Sequence, residues 1–259
     1  MDYLLPIGFA IFAWWLSTVV IIYRAGLPRQ SFVATLLGAS LVAVLGIYAI
    51  LDSRYSLTTG GAYLAFFGAL AIWGWHEVSY LFGFINGPRP EACPPDSSNW
   101  QRFILGVKAC FYHEIAVVST VAVVAAITWN APNKVGLLTF AILWLMRWSA
   151  KLNIFLGVRN LHEEFWPDHL KYLKSFVGRS SSNGLWPVSI VLSTAGLAVL
   201  AVIAVQAGDN VALRTGYTLL ATLLALALLE HWFLVARVKD DVLWRPAMRF
   251  RGGGGPAAQ

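Results

Sequence analysis

The feature that most constrains this chain is a series of apolar stretches, each about 20 residues long or longer. Seven of them follow one another, at roughly 3–23, 31–51, 61–86, 102–128, 134–157, 185–207 and 212–236. A helix needs about 20 apolar residues to cross the hydrocarbon core of a bilayer. The stretches lack the alternation of apolar and polar residues that is typical of barrel strands. The sequence therefore predicts an all-α polytopic membrane protein, a bundle of about seven transmembrane helices.

The composition agrees with a membrane environment. Of the 259 residues, 58% are hydrophobic and only 12% are charged, about half of the charged fraction of soluble domains. The formal net charge of +6 indicates basic cytoplasmic loops rather than a nucleic-acid partner. We expect one transmembrane domain over residues 1–251, in contact with the lipid bilayer, and a disordered, glycine-rich tail over 252–259.

The distribution of basic residues predicts the orientation. The segments after the first, third, fifth and seventh stretches carry thirteen Lys and Arg residues, whereas the opposite side carries three. Because basic residues collect on the cytoplasmic side, this places the N-terminus outside and the C-terminus in the cytoplasm. The longest loop, 158–184, would then be cytoplasmic, and its aromatic and basic residues suit an interfacial helix.

Histidine and glutamate stand side by side at four places. Four of the five histidines have a glutamate as direct neighbour, in the pairs His76-Glu77, His113-Glu114, His162-Glu163 and Glu230-His231. Ionisable groups are expensive in hydrocarbon, so those within spans are functional hypotheses by default. The predicted topology puts the pairs of the third, fourth and seventh stretches in the cytoplasmic half of the bilayer, with His76 and His113 each about 15 Å deep. We therefore expect these groups to share one site.

Two cations lie one helical turn apart in the fifth stretch. Arg147 and Lys151 are four residues apart, so they project from one face of a helix. Like charges on one face repel each other, so we expect carboxylates or a bound anion beside them. The internal partners on offer are Glu77, Glu114 and Glu230. The third stretch presents a face of its own, made by Trp73, His76, Glu77 and Tyr80.

Three interpretations of these groups stay open. The first is a hydrogen-bonded network that fixes helix packing. The second is a site for iron or another metal bound by histidine and glutamate, although no Glu-x-x-His spacing is present and adjacent residues point about 100° apart on a helix. Its candidate ligands are His76, Glu77, His113, Glu114, His162, Glu163, Glu230 and His231. The third is a site for bacteriochlorophyll or for an anionic tetrapyrrole or lipid. Its candidate contacts are Trp73, Tyr80, Arg147, Lys151 and Asn153.

Long strings between about Gly74 and Pro187 resemble the PuhE family, which comprises photosynthetic-complex assembly proteins of anoxygenic purple bacteria. The strings are WHEVSYLFGFINGPRP, the downstream YHE, WNAPNKVGLLTFAILWLMRWSAKLNIFLGVRNLHEEFWPDHLKYLKSF and NGLWP. The resemblance implies a protein of the bacterial cytoplasmic (intracytoplasmic) membrane that assists assembly of the reaction centre or light-harvesting complex, or supplies pigment to it. The implied partners are subunits of those complexes and bacteriochlorophyll or its precursors.

The resemblance carries over no catalytic residues, so whether the protein is an enzyme is left open. The alternatives are a membrane metalloenzyme of bacteriochlorophyll or carotenoid synthesis that uses the His/Glu site, and a pigment-binding subunit or carrier. A redox-active metal would favour the enzyme, and co-purified bacteriochlorophyll would favour the carrier.

The charge distribution generates a topology prediction. A reporter fused after residue 251 should be active in the cytoplasm, and one placed before Asp2 should be active outside it. The reason is that segments rich in Lys and Arg, including the one after the seventh stretch, stay on the cytoplasmic side of the membrane. Paired reporters that respond on opposite sides of the membrane measure this directly. If both report from the same side, the number of crossings is even, and the predicted topology no longer places His76 and His113 at the same depth.

Overall fold

The computed structural model describes residues 2–161 and 166–236, and its regular structure is entirely helical. The long helices are α1 (Leu4–Ala25), α2 (Phe32–Ser53), α3 (Thr59–Leu81), α4 (Asn99–Thr128), α5 (Val135–Leu156), α6 (Leu185–Gln206) and α7 (Val211–Phe233). Six of these, all but α3, are long and apolar enough to cross a membrane. The chain is thus an all-α polytopic membrane protein, as predicted. The tail predicted over 252–259 lies outside the described residues.

Helix α3 is the central helix of the bundle. It runs antiparallel along α2, with Trp75 Nε1 donating to Ser40 Oγ at 2.9 Å towards one end, and it also packs against α1, α5 and α7. Since α2 is long enough to cross the bilayer and α3 lies along it, α3 passes through the same thickness. That α3 is not among the six helices apolar enough to cross a membrane by themselves fits this position, because most of its residues are buried by protein.

The contact between α2 and α3 depends on small residues. A Cβ atom on Gly46 would lie 2.7 Å from the carbonyl oxygen of Gly68, and a Cβ on Gly68 would lie 2.7 Å from the carbonyl oxygen of Gly46. Small residues let helix backbones approach closely, which is how helices associate where the hydrophobic effect is weak. The crossing therefore sets the spacing of the two helices. Elsewhere on α3, Phe66 packs in a cluster with Leu219 of α7, and Ile72 packs in a cluster with Phe140 of α5.

Contacts near the ends of the helices define the two ends of the bundle. At one end Arg214 Nη2 bonds Asp2 Oδ2 at 2.8 Å. At the other, the backbone N–H of Arg159 donates to the Leu234 carbonyl at 3.0 Å. The start of α1 and the end of α7 therefore lie at opposite ends, as an odd number of crossings requires. Which end faces the cytoplasm stays a prediction.

The predicted boundary of the third stretch is wrong by five residues. Helix α3 ends at Leu81 rather than near 86, because Gly83 adopts a left-handed φ of 82° and the N–H groups of Phe84 and Ile85 turn back to the Ser79 carbonyl. His76 is consequently five residues, not ten, from the end of its helix. Helix α4 begins earlier than predicted, at a capping box formed by Ser98 and Gln101, and it extends past the end of α3.

Among the described residues of the loop between α5 and α6, a 3-10 helix is formed, and its place at the membrane interface stays a prediction. This segment, Asp168–Phe176, buries Leu170 and Phe176. Phe176 lies against Gly106 of α4, and Lys171 forms an ion pair with Asp168 at 2.6 Å. The segment therefore covers the end of the bundle where α3 stops and α4 continues.

The glycine crossing can be tested by adding a single methyl group. Gly46→Ala should lower the midpoint of thermal unfolding in detergent, by the equivalent of about 1–3 kcal/mol, because the new Cβ forces the backbones apart. Gly38→Ala on the same helix is the matched control, since a Cβ there meets nothing within 4 Å. Alanine is the better helix former, so the control should be neutral or slightly stabilising. Equal decreases of the unfolding midpoint in the two variants would contradict the close approach of α2 and α3 at Gly46.

Candidate functional site

Side chains from three helices form a polar group in the interior, here called the central polar cluster. Helix α3 contributes His76, Glu77 and Tyr80, helix α4 contributes His113 and Glu114, and helix α5 contributes Arg147 and Lys151. Spacings of three and four residues place the members from α3 and α5 on one face of each helix. The cluster brings together most of the residues that the sequence singled out.

Two ion pairs join α5 to its neighbours. Arg147 Nη2 donates to Glu77 Oε2 at 2.9 Å, and Lys151 Nζ donates to a carboxylate oxygen of Glu114. Both glutamate side chains are only 14% exposed. The predicted need of the α5 cations for carboxylates is thus confirmed for Glu77 and Glu114. In each pair the cation and the carboxylate balance each other's charge, so the two pairs add no net charge to the interior.

The two histidines of the cluster lie next to each other and are almost completely buried. Their ring centroids are 6.2 Å apart, and their exposures are 1% for His76 and 2% for His113. Both rings therefore lie side by side in the interior of the bundle. The Tyr80 ring lies 4.6 Å from that of His113, and Lys151 Nζ lies 5.2 Å from the centre of the Tyr80 ring.

The hydrogen bonds of His76 indicate its tautomer. His76 Nε2 and Thr120 Oγ1 are 2.9 Å apart, and the single proton of the Thr120 hydroxyl is donated to the Ala116 carbonyl at 3.0 Å. His76 Nε2 therefore acts as the donor. In a neutral imidazole the other nitrogen is then an acceptor, so His76 Nδ1 carries a free lone pair inside the bundle.

Several polar atoms of the cluster have no hydrogen-bond partner among the described residues. They are His76 Nδ1, His113 Nδ1, Glu77 Oε1 and Arg147 Nε, all buried. Buried polar atoms in proteins are nearly always paired, and each exception requires an explanation. Four such atoms in one cluster indicate that it can bind a polar group, with the histidine nitrogen as acceptor and Arg147 Nε as donor.

A metal site is not assembled by the part of the chain that is described. Within 2–161 and 166–236, no three His, Cys, Asp or Glu residues converge as metal ligands would. In the cluster, Glu77 and Glu114 each bind a cation instead. His162 and Glu163, two of the proposed ligands, lie outside the described residues.

The loop after α3 is anchored on α4 beside the cluster. The backbone N–H of His113 donates to the Asn86 carbonyl at 3.0 Å, and Asn86 Nδ2 donates to the Tyr80 carbonyl at 3.1 Å. Gly87 lies directly on the α4 backbone, since a Cβ there would overlap Lys108 and Ala109. The loop thus fixes α3 and α4 relative to each other at the level of the cluster.

Other predicted site residues lie elsewhere. Asn153 projects from the opposite face of α5, is fully buried, and donates to Ser189 Oγ at 3.0 Å. His231 lies in the same second group, with Nε2 2.9 Å from Ser149 Oγ. Trp73 packs edge-on against Phe140. Glu230 is exposed and interacts electrostatically with Arg147.

Thr120 and Asn86 were missed by the sequence reasoning. Thr120 comes seven residues after His113, two helical turns along one face, and the buried Val117 and Val124 continue that face. This periodicity was a usable signal. Asn86 offered none, because its role depends on how a loop folds back onto a helix.

The ion pairs generate a double-mutant prediction. Lys151→Met should lower the free energy of unfolding more than the double variant Lys151→Met/Glu114→Gln, because the single change leaves the Glu114 carboxylate buried without its cation. We expect a coupling of about 0.5–3 kcal/mol, measured by unfolding in detergent. The control is the exposed Asp168–Lys171 pair, which should couple by less than about 0.5 kcal/mol. Equal coupling of both pairs would contradict the account.

Comparison with known proteins identifies the family. The family described as "Protein of unknown function (DUF3623)" matches over residues 1–252. A relative from Rhodobacter capsulatus, described as "Uncharacterized 30.4 kDa protein in puhA 5'region", is 37% identical over 238 residues, which cover 90% of this chain and 86% of the relative. No solved structure matches. The chain belongs to the DUF3623 family.

Proposed function

We propose that this protein assists the assembly of the photosynthetic reaction centre or light-harvesting complex, or delivers pigment to it. One observation carries the proposal: a relative that is 37% identical over nearly the whole of both chains is described by its place in the puhA region of a phototroph. The strings that resemble the PuhE family support the same role. The six apolar helices provide the membrane location that assembly of a membrane complex needs.

The proposal includes a location and an orientation. The protein acts in the bacterial cytoplasmic or intracytoplasmic membrane, with the basic end of the bundle in the cytoplasm. The thirteen-to-three distribution of Lys and Arg supports this orientation. The central polar cluster then lies nearer the cytoplasmic surface than the opposite one.

Pigment delivery is favoured by a groove beside His76. The groove, of about 410 Å³, opens between α2 and α4 and is lined mostly by apolar side chains, together with Ser40, Trp75 and Thr120. Small-molecule sites of this kind are largely apolar with a few placed polar groups. A ligand entering from the lipid would meet His76 at the wall of the groove. That arrangement suits a largely apolar molecule with a few polar groups, such as bacteriochlorophyll or a precursor.

Assembly without pigment binding remains the broader form of the proposal. In that form the central polar cluster fixes α3, α4 and α5, and the apolar outer surfaces of the helices contact the client subunits. The two forms differ in whether His76 and His113 meet a ligand or only complete the packing.

Deletion and complementation in the native host test the proposal. Loss of the protein should lower assembled reaction centre or antenna under phototrophic conditions, while growth without photosynthesis is little affected. Wild type and Arg54→Ala should restore the absorption bands of the complexes, whereas His76→Ala and Arg147→Ala should not, because they remove members of the central polar cluster. Arg54 is the control because it lies at the far end of the bundle, beside Asn133.

Two outcomes decide between the forms of the proposal. Pigment that co-purifies with wild type but not with His76→Ala supports delivery, and a protein that purifies with client subunits but no pigment supports assembly alone. A deletion strain with normal complex levels and spectra would remove the assembly role altogether.

A further inference from the structure

A second cleft lies at the end of the bundle where three loops meet. Its walls come from the 3-10 turn Arg29–Ser31, the end of α3 with the loop that follows, and the 3-10 helix Asp168–Phe176. The cleft measures about 480 Å³, and its lining includes Arg29, Phe32, Phe82, Asn86, His169 and Tyr172. This cleft is separate from the groove beside His76.

Two hydrogen-bonding atoms of this cleft are buried and unpaired. His169 Nε2 and the Tyr172 hydroxyl have no partner among the described residues. Arg29 is exposed at the same cleft, and its positive charge acts on His169. A cation and two residues with unpaired polar atoms therefore line one cleft, and buried polar atoms of that kind are normally satisfied.

Packing holds the histidine in place. Its ring lies on Gly83, where a Cβ would be 3.1 Å from Nε2, and Gly83 has a φ of 82° that side chains rarely adopt. Phe32 stacks on Phe82 with ring centroids 4.5 Å apart and meets His169 edge-on at 6.3 Å. The Phe32 ring, which stacks on Phe82, and Gly83, which has no side chain, thus fix the position of the His169 ring.

The charges around the cleft favour an anion. Asp168, the nearest acidic residue along the chain, is bound to Lys171 at 2.6 Å, and the hydrogen bond from Lys171 lowers the pKa of its carboxyl. Burial, and after it the charge of Arg29, lower the pKa of His169. The negative charge of an anion in the cleft would favour the protonated ring, which can donate from Nε2.

We propose that this cleft is a phosphate-binding site, with Arg29, His169 and Tyr172 as the ligating side chains. Arginine binds phosphate oxygens through charge-assisted hydrogen bonds, and the tyrosine hydroxyl and the histidine nitrogen supply further donors. The helices end at this level, so the phosphate of an anionic lipid headgroup is within reach. A soluble phosphate compound offers the same chemistry from the loop side.

Binding to the purified, delipidated full chain in detergent tests the site. The probes are phosphatidylglycerol, phosphatidylcholine and inorganic phosphate, each followed by native mass spectrometry and by the shift of the unfolding midpoint. We expect Arg29→Gln to weaken phosphate-group binding about tenfold, and Tyr172→Phe, which removes only the hydroxyl, about threefold. Arg89→Gln is the control, because it removes the same charge from the same end of the bundle but does not line the cleft.

Each outcome bears on the site. Binding of phosphatidylglycerol that inorganic phosphate does not displace identifies a lipid headgroup, and binding of inorganic phosphate alone identifies a soluble ligand. Either result, weakened by the Arg29 and Tyr172 variants but not by the control, supports the proposal. Failure of both phosphatidylglycerol and inorganic phosphate to bind overturns it. So does an equal loss in Arg29→Gln and Arg89→Gln, because that would be non-specific attraction to a basic surface.

Discussion

The pairing of the α5 cations with carboxylates on two other helices is the constraint on which the interior depends. A charge buried without its partner is destabilising by about 3–5 kcal/mol, so the nearly buried carboxylates of Glu77 and Glu114 require Arg147 and Lys151. Because both cations lie on one face, α3 and α4 must both meet that face. Each glutamate follows a histidine directly, about 100° around its helix. Turning the glutamates to α5 therefore turns the histidines towards each other between α3 and α4.

Close helix packing makes this arrangement possible. Gly46 and Gly68 let the backbones of α2 and α3 approach so closely that a Cβ atom on either glycine would overlap the other helix. This close packing allows α3 to be the central helix and to keep its polar face away from lipid. A helix with a Glu and a His in its last two turns would be costly in contact with hydrocarbon. The same burial explains how α3 can fall short of the hydropathy of a membrane span while the other six long helices of the described chain reach it.

Much of this fold could be read from the sequence, and the failures have physical causes. The number of long helices, their up-and-down order and the partners of Arg147 and Lys151 follow from apolar length and from the cost of buried charge. The end of α3 did not, because the apolar residues Phe82, Phe84 and Ile85 continue the hydropathy pattern while Gly83 breaks the helix. Asn153 was grouped with the cations since it follows them in sequence, but its position turns it to the opposite face of α5.

The two polar sites differ in charge and share one loop. The central polar cluster balances two cations against two carboxylates, whereas the cleft presents Arg29 with its nearest carboxylate already bound to Lys171. Asn86 belongs to both places: it lines the cleft, donates to the Tyr80 carbonyl and accepts from the backbone of His113. A group bound in the cleft thus contacts the loop that holds α3 and α4 together. The spacing of the two buried histidines therefore depends on a loop at the end of the bundle.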